Sequence, residues 1–233
     1  SQQQRLVSTY FDTPKRALRA RGIAVRERRA GRQTLLAVKT AGTVAGGLAV
    51  RGEWEAPATA GRFDFASLVD EPALAAELQT LAGKLAPVFT TDFTRRRWLV
   101  AHHKALIEVA LDRGQIHAVT RDGPRSLPLL ELELELKQGP PEALFRLARQ
   151  LARGVHLRPL AASKVDRGDG LARGKRAKPV KADAIALGPD THPVDAFRAV
   201  ALACLAQLLA NEGGVLHSDD IEYLHQARVA LRR

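Results

Sequence analysis

Between Leu130 and Leu136 the chain alternates without a break: Glu131, Glu133 and Glu135 occupy one parity, and Leu130, Leu132, Leu134 and Leu136 the other. Successive side chains of a strand point to opposite faces, so residues two apart share a face about 7 Å apart. The segment therefore predicts a strand with one leucine face and one carboxylate face. The same period recurs upstream. Ala24, Arg26 and Arg28 oppose Ile23 and Val25; Arg51, Glu53 and Glu55 oppose Val50 and Trp54. Arg95 and Arg97 oppose Trp98 and Val100, and Glu108, Ala110 and Asp112 oppose Ile107, Val109 and Leu111. Gly and Pro punctuation divides the region into eight candidate strands: 5–11, 22–29, 33–41, 48–56, 88–100, 104–112, 115–120 and 127–137.

Helical spacing is confined to shorter stretches. A helix is expected to start at Pro14, a residue suited to a first helical turn. Others are expected over 71–82 and 141–153, the latter from Leu144, Leu147, Ala148 and Leu151. Residues 173–193 read as a basic linker, with Arg173, Lys175, Arg176, Lys178 and Lys181 among Gly and Pro. Beyond it, 194–211 and 219–233 read as two helices, the second opened by the capping cluster Ser218-Asp219-Asp220. Two helices do not close a bundle, so this region reads as the start of a helical domain. The expected fold is α+β: an eight-stranded antiparallel β-barrel or tunnel with flanking helices (1–172), the linker (173–193), and a partial α-helical domain (194–233).

Composition adds three constraints. Of 233 residues, 36 are Lys or Arg and 25 are Asp or Glu, a net charge of +11 that favours polyanionic partners without choosing among them. The few aromatic residues form no basic-aromatic stripe of the kind single-strand binders stack on, so no specific nucleic acid is expected. No uninterrupted apolar run reaches about 18 residues, so no membrane partner is expected. The single cysteine, Cys204, provides no intramolecular disulfide, fits a reducing cytoplasmic setting, and is expected to be a small buried residue. The chain has no methionine, so Ser1 is not an initiator and a longer parent is expected.

The charges on the alternating strands sort by sign, arginines on some and carboxylates on others. Like charges along a strand repel. A sheet closed with its charged face inward lets opposite signs meet across the lumen. Such a tunnel holds a polyanion on arginine and lysine, and a divalent cation on clustered carboxylates. Hard oxygen ligands suit Mg²⁺ or Mn²⁺, the division of labour that metal-assisted phosphoryl transfer uses.

These residues carry a resemblance. Ser8-Thr9-Tyr10-Phe11-Asp12-Thr13-Pro14 followed by Gly22-Ile23-Ala24-Val25-Arg26-Glu27-Arg28 resembles the opening of a CYTH domain, the triphosphate tunnel metalloenzyme family. The order continues through Lys39, Arg51-Gly52-Glu53, Thr91-Asp92-Phe93-Thr94-Arg95, Glu108-Val109-Ala110-Leu111-Asp112, the Glu-Leu run, and Ser163-Lys164-Val165-Asp166-Arg167-Gly168. The stretch His225–Arg233 resembles the start of a CHAD domain, a helical module often fused behind CYTH. The resemblance implies that Arg26, Arg28, Lys39, Arg51, Arg95 and Arg97 grip phosphates, with Lys164 near the tunnel mouth. It implies that Asp112, Glu131 and Glu133 hold the metal, Mg²⁺ or Mn²⁺, with Lys39, Glu53 and Glu108 serving the chemistry and Glu135 nearer the rim. It implies polyphosphate binding by His225, Arg228 and Arg232, which lie on one helix face.

One departure is expected to matter. CYTH domains open with a Glu-x-Glu-x-Lys strand, and no such pattern precedes Arg5 or recurs later, so the sequence reads as a piece cut at both ends. The expected activity is hydrolysis of inorganic triphosphate or short polyphosphate. The alternatives are a non-catalytic polyphosphate-binding protein, cyclisation of ATP or hydrolysis of thiamine triphosphate on the same scaffold, and non-specific nucleic-acid binding.

Overall fold

A computed structural model describes residues 1–45, 48–50, 52–160, 162–174 and 178–233, and for 43–45 and 48–50 the backbone alone. The chain divides into two compact units, Ser1–Gly174 and Lys175–Arg233.

In the first unit the alternating segments pair into one antiparallel sheet of seven strands. They are β1 (Gln2–Asp12), β2 (Ala24–Ala30), β3 (Gln33–Lys39), β6 (Glu53–Pro57), β7 (Ala86–His102), β8 (Ala105–Thr120) and β9 (Gly123–Gln138), in the order β6-β3-β2-β1-β7-β8-β9. Two further strands, β4 (Thr43–Ala45) and β5 (Leu48–Val50), form a hairpin of their own. An α+β protein is what the pattern predicts. The eight-stranded closed barrel is not what the described residues form: β6 and β9 are sheet edges.

Two local features account for the strand count. Residues 104–112 and 115–120, expected as separate strands, are one continuous strand, because Gly114 does not break it. A Cβ there would lie 2.1 Å from the Asp92 carbonyl oxygen and 2.5 Å from Phe93 Cα, so glycine lets β7 and β8 approach closely. The expected strand 48–56 is divided, its first part turned into the β4–β5 hairpin and only Glu53–Pro57 joining the main sheet.

The two faces differ as the alternation requires. On the outer face Val25, Leu36 and Val38 pack with Leu18, Phe65, Ala75 and Leu78 from three helices, α1 (Ala17–Ala20), α2 (Phe65–Leu68) and α3 (Pro72–Leu81), and with Val69 just after α2. Ile107 and Val109 pack under α4 (Glu142–Leu151) through Ala143, Leu144 and Leu147. The inner face has a small apolar floor of its own, Leu6, Tyr10, Phe89, Phe93, Ile116 and Leu129, with Val165 and Leu171 of α5 (Lys164–Ala172) against it. Gly168 permits that seating, since a Cβ would lie 2.2 Å from the Phe89 ring. The pattern gave no hint of α5 or of the short α2.

The second unit is a helix pair. The expected helix 194–211 extends to α6 (Pro193–His217), running through Gly213-Gly214, and α7 (Ile221–Arg232) follows the capping aspartate Asp220. Gly214 is the point of close approach: a Cβ there would lie 2.0 Å from the Tyr223 ring. Buried amides join the elements. Gln207 donates to Gln226 at 3.1 Å, and Asn211 exchanges hydrogen bonds of 2.9 Å with both backbone groups of Val180. Cys204, expected to be buried, is half-exposed. By length and composition α6 is apolar enough to cross a membrane, with a mean hydropathy of 1.5 over its best window. The search for an uninterrupted apolar run missed it because Arg198, Gln207 and Asn211 punctuate the helix, and two of those are the residues that bind its neighbours.

The Gly114 geometry is directly testable. Gly114→Ala is expected to lower unfolding free energy by about 2 kcal/mol or more, because the added carbon overpacks a backbone contact. Urea denaturation checks this, and a midpoint equal to that of the parent chain contradicts it.

Candidate functional site

The inner face gathers the charged parity of six strands. On β8 and β9 the register sets Asp112 opposite Glu131, Ala110 opposite Glu133 and Glu108 opposite Glu135. Carboxylates directly across from carboxylates are unfavourable, so cations must come from elsewhere. They come from two directions. Arg95 stands opposite Asp112 on β7 and grips it with two bonds of 2.7 Å, while its Nη2 reaches Glu133 at 2.5 Å. From α5, Lys164 Nζ lies 2.8 Å from both Asp112 Oδ2 and Glu133 Oε1 and also contacts Glu131, whose other oxygen accepts from Arg167. Asp112 is fully buried.

The electrostatics follow from these contacts. Glu133 is part-exposed; the desolvation it does suffer opposes its charge, but Lys164 and Arg95 outweigh it and hold its pKa well below the ordinary carboxylate value. Burial also opposes the Lys164 ammonium, and Glu133, Asp112 and Glu131 overcome it and raise its pKa. Each charge is tolerated because the others are present.

The other half of the face is a cationic row. Arg26, 6% exposed, donates to Glu55 at 3.2 Å and lies 3.5 Å from Glu53; Lys39 pairs with Glu53 at 2.7 Å. Burial works against Arg26, but Tyr10, Glu55 and Glu53 keep its pKa above the ordinary arginine value. Arg28 donates to Ser8 Oγ at 3.3 Å, and burial together with the neighbouring Arg26 charge lowers its pKa. The Nε donors of Arg26 and Arg167 are buried with no hydrogen-bond partner among the described residues.

Arg95, Asp112, Glu131, Glu133 and Lys164 form one cluster, and Arg26, Arg28, Lys39 and Glu53 a second group on the same face. Arg97 is exposed, donates to Gln2 at 2.7 Å and lies 3.8 Å from Glu108. Glu135 is exposed and pairs with Lys137. Arg51 lies outside the described residues, as do Lys175 and Arg176. His225, Arg228 and Arg232 are exposed on α7, opposite the buried Tyr223, Gln226, Ala227 and Ala230. Opposite signs were expected to meet across a lumen; instead they meet between adjacent strands and beneath α5. Two participants were missed, Glu55 and Arg167. Glu55 shares parity with Glu53, and Arg167 stands three residues from Lys164, a spacing that speaks only once α5 is known to be a helix.

The position of α5 is itself fixed by charge. Ser163 and Asp166 form a reciprocal capping box, Asp166 accepts from Arg19 at 2.5 Å, and the buried Asp169 pairs with Arg173 at 2.8 Å and Arg16 at 3.4 Å. One side of the helix thus presents acids to the arginines of α1 and its approach, and the other presents Lys164 and Arg167 to the carboxylate cluster.

The CYTH domain profile matches residues 1–168, and the CHAD domain profile matches residues 199–233. The chain belongs to the CYTH family. A relative from Haemophilus influenzae, named an inorganic triphosphatase, is 33% identical over 170 residues, covering 70% of this chain and 45% of that protein. The chain therefore spans less than half the length of that relative. Solved structures with similar folds include a protein from Hippeastrum described as a candidate adenylyl cyclase with a dominant triphosphatase activity. It is 16% identical, with a TM-score of 0.49 over 72% of this chain and 82% of that one. A candidate adenylate cyclase from Bacillus halodurans is 14% identical, with a TM-score of 0.47 over 71% and 82%.

The anchoring of α5 in this CYTH unit predicts a pH signature. Burial opposes the Asp166 charge, but the bonds from Ser163 and Arg19 prevail and hold its pKa below the ordinary 3.8. A depressed carboxylate pKa contributes stability that is present above the unfolded value and lost as pH falls through the folded one. Asp166→Asn keeps the capping acceptor and removes the charge, so it is expected to cost about 0.5 kcal/mol at pH 7, the scale of a part-exposed ion pair and a helix N-terminus, and progressively less below pH 3.8. Thermal melts at pH 7 and pH 3 check it, and an equal difference at both contradicts it.

Proposed function

We propose that the inner face of the CYTH unit binds inorganic triphosphate or a short polyphosphate and hydrolyses it with a divalent cation, Mg²⁺ or Mn²⁺. The observation that carries this reading is the cationic row of the buried Arg26 and the half-buried Arg28 and Lys39 beside a carboxylate cluster on the same face, with the Arg26 Nε–H without a partner among the described residues. Polyphosphate offers closely spaced anionic oxygens along a chain, and guanidinium forks match them with paired bonds. The triphosphatase relative supports the same substrate class.

The carboxylate cluster fits a divalent ion. Asp112, Glu131 and Glu133 each offer an oxygen within 4.8 Å of the others, a hard donor set. A cationic stand-in, the Lys164 ammonium, is already seated among them. An ion held there supplies positive charge beside the terminal phosphoryl group. The protein's own residues do the rest. Arg26 and Arg28 hold phosphate oxygens, their positions fixed by Glu55 and Ser8; Lys39, paired with Glu53, extends the row; Arg95 orients Asp112 and Glu133. Glu53 and Glu108 are the carboxylates we assign to water near the chemistry, and Arg51 and Arg97 to the phosphate path. We further read the inner face as one wall of the substrate path, with α5 against part of it. On α7, His225, Arg228 and Arg232 form an exposed basic face that we assign to polyphosphate. Among the described residues the apolar floor of the inner face, Tyr10, Phe89 and Phe93 included, is the surface α5 packs on, so a linear inorganic substrate is preferred over ATP or thiamine triphosphate.

The test is phosphate release from tripolyphosphate with Mg²⁺ or Mn²⁺, alongside binding by calorimetry. Asp112→Ala is expected to lower release by a factor on the order of 100, the scale for losing one electrostatic stabiliser of the transition state. Binding without metal-dependent release would instead favour a polyphosphate-binding protein. Weak binding that falls steeply with salt, with no preference for triphosphate over duplex DNA, would contradict both readings.

A further inference from the structure

The Lys164 ammonium occupies the place that a divalent ion would take. It lies 2.8 Å from Asp112 Oδ2 and 2.8 Å from Glu133 Oε1, and it also touches Glu131. These are the same three residues whose oxygens converge within 4.8 Å. The strand-borne Arg95 and the helix-borne Lys164 differ in kind. Arg95 grips Asp112 through a two-bond fork from the neighbouring strand and is part of the sheet's register. Lys164 is a point charge on a flexible four-carbon stem, rooted at the first residue of α5, with its head 5.3 Å from the Phe93 ring centroid. Asp112 is completely buried, and a buried carboxylate without a counter-charge is strongly destabilising. Three carboxylates against Arg95, Lys164 and Arg167 give a neutral cluster, so a divalent ion cannot enter without either overcharging it or moving a resident cation.

We infer that Lys164 is a displaceable internal counter-ion. Its ammonium holds the carboxylate cluster together when no metal is present and competes with the metal for the same three ligands. Once displaced, it turns, with Arg167, to the phosphate. Arg167 is thereby a further substrate-contacting residue, and its unpaired Nε is the donor already waiting for an anion. The consequence is that metal and phosphate load together: each arriving alone meets a cost that the other removes, and the coupling is reciprocal. This inference rests on the reading of the cluster as a metal site.

The experiment measures Mn²⁺ affinity of the 233-residue chain in phosphate-free buffer, from the electron paramagnetic resonance signal of the free ion. The parent is compared with Lys164→Met, with Lys164→Gln, which keeps N–H donors without the charge, and with Arg121→Met, which removes one positive charge from an exposed turn. Removing the competing ammonium is expected to tighten Mn²⁺ binding about tenfold or more in whichever Lys164 variant folds, given the strength of a unit charge at contact distance. Arg121→Met is expected to match the parent. Lys164 variants that bind Mn²⁺ no more tightly than Arg121→Met would overturn the inference while leaving the metal site intact. Failure of every variant, parent included, to bind Mn²⁺ would overturn the metal reading and the inference with it.

Discussion

Rows of like charge on a strand persist only where a neighbour supplies the opposite sign, and the architecture of the CYTH unit answers that constraint. The register of β8 and β9 brings acid against acid, Asp112 to Glu131 and Glu108 to Glu135. Arg95 answers from the strand on one side, and Lys164 and Arg167 answer from α5 above. The helix in turn is held by its own acids, Asp166 and Asp169, on the arginines near α1. The charges are therefore linked in series from the N-terminal strand connection to the far edge of the sheet. Removing one leaves a buried partner uncompensated, which costs several kcal/mol in general.

The opposite end of the same face has the reverse imbalance. The buried Arg26 and the half-buried Arg28 lie side by side, and the acids Glu53 and Glu55 reach them from β6 without satisfying the Arg26 Nε–H. On the proposed function, a linear polyanion would lie along this face, with the internally neutralised cluster at one end and the cationic row at the other. The apolar outer face, sealed by α1 to α4, gives this arrangement the rigid backing that preorganised charges require.

Much of this was legible in the sequence because strand parity is a strict code. Residues such as Glu131 and Glu133, or Arg26 and Arg28, share a face whatever the strand order. Pairing was not legible. Which strand neighbours which is a tertiary fact, so the expectation that opposite signs meet across a lumen gave way to pairing between adjacent strands, as Arg95 with Asp112 and Lys39 with Glu53 show. Gly114 read as a break because glycine usually punctuates strands; here close approach to Asp92 and Phe93 calls for it. Helix α5 was hidden because Gly168 and Gly170 depress helical propensity, and tertiary packing on Phe89 together with the Ser163–Asp166 cap overrides them. With α5 unseen, Arg167 carried no signal. The helix pair was legible at its capped end, Asp220, and not at Gly213-Gly214, where contact with Tyr223 carries the helix onward.

The central claim is that one face of the sheet holds both the phosphate chain and the divalent ion. A crystal of the chain grown with tripolyphosphate and Mn²⁺, with anomalous scattering to locate the metal, tests it most directly. The account predicts a Mn²⁺ peak within bonding distance of Asp112, Glu131 and Glu133, and phosphate oxygens on Arg26 and Arg28. Manganese elsewhere, or phosphate bound only at the exposed face of α7, would contradict it.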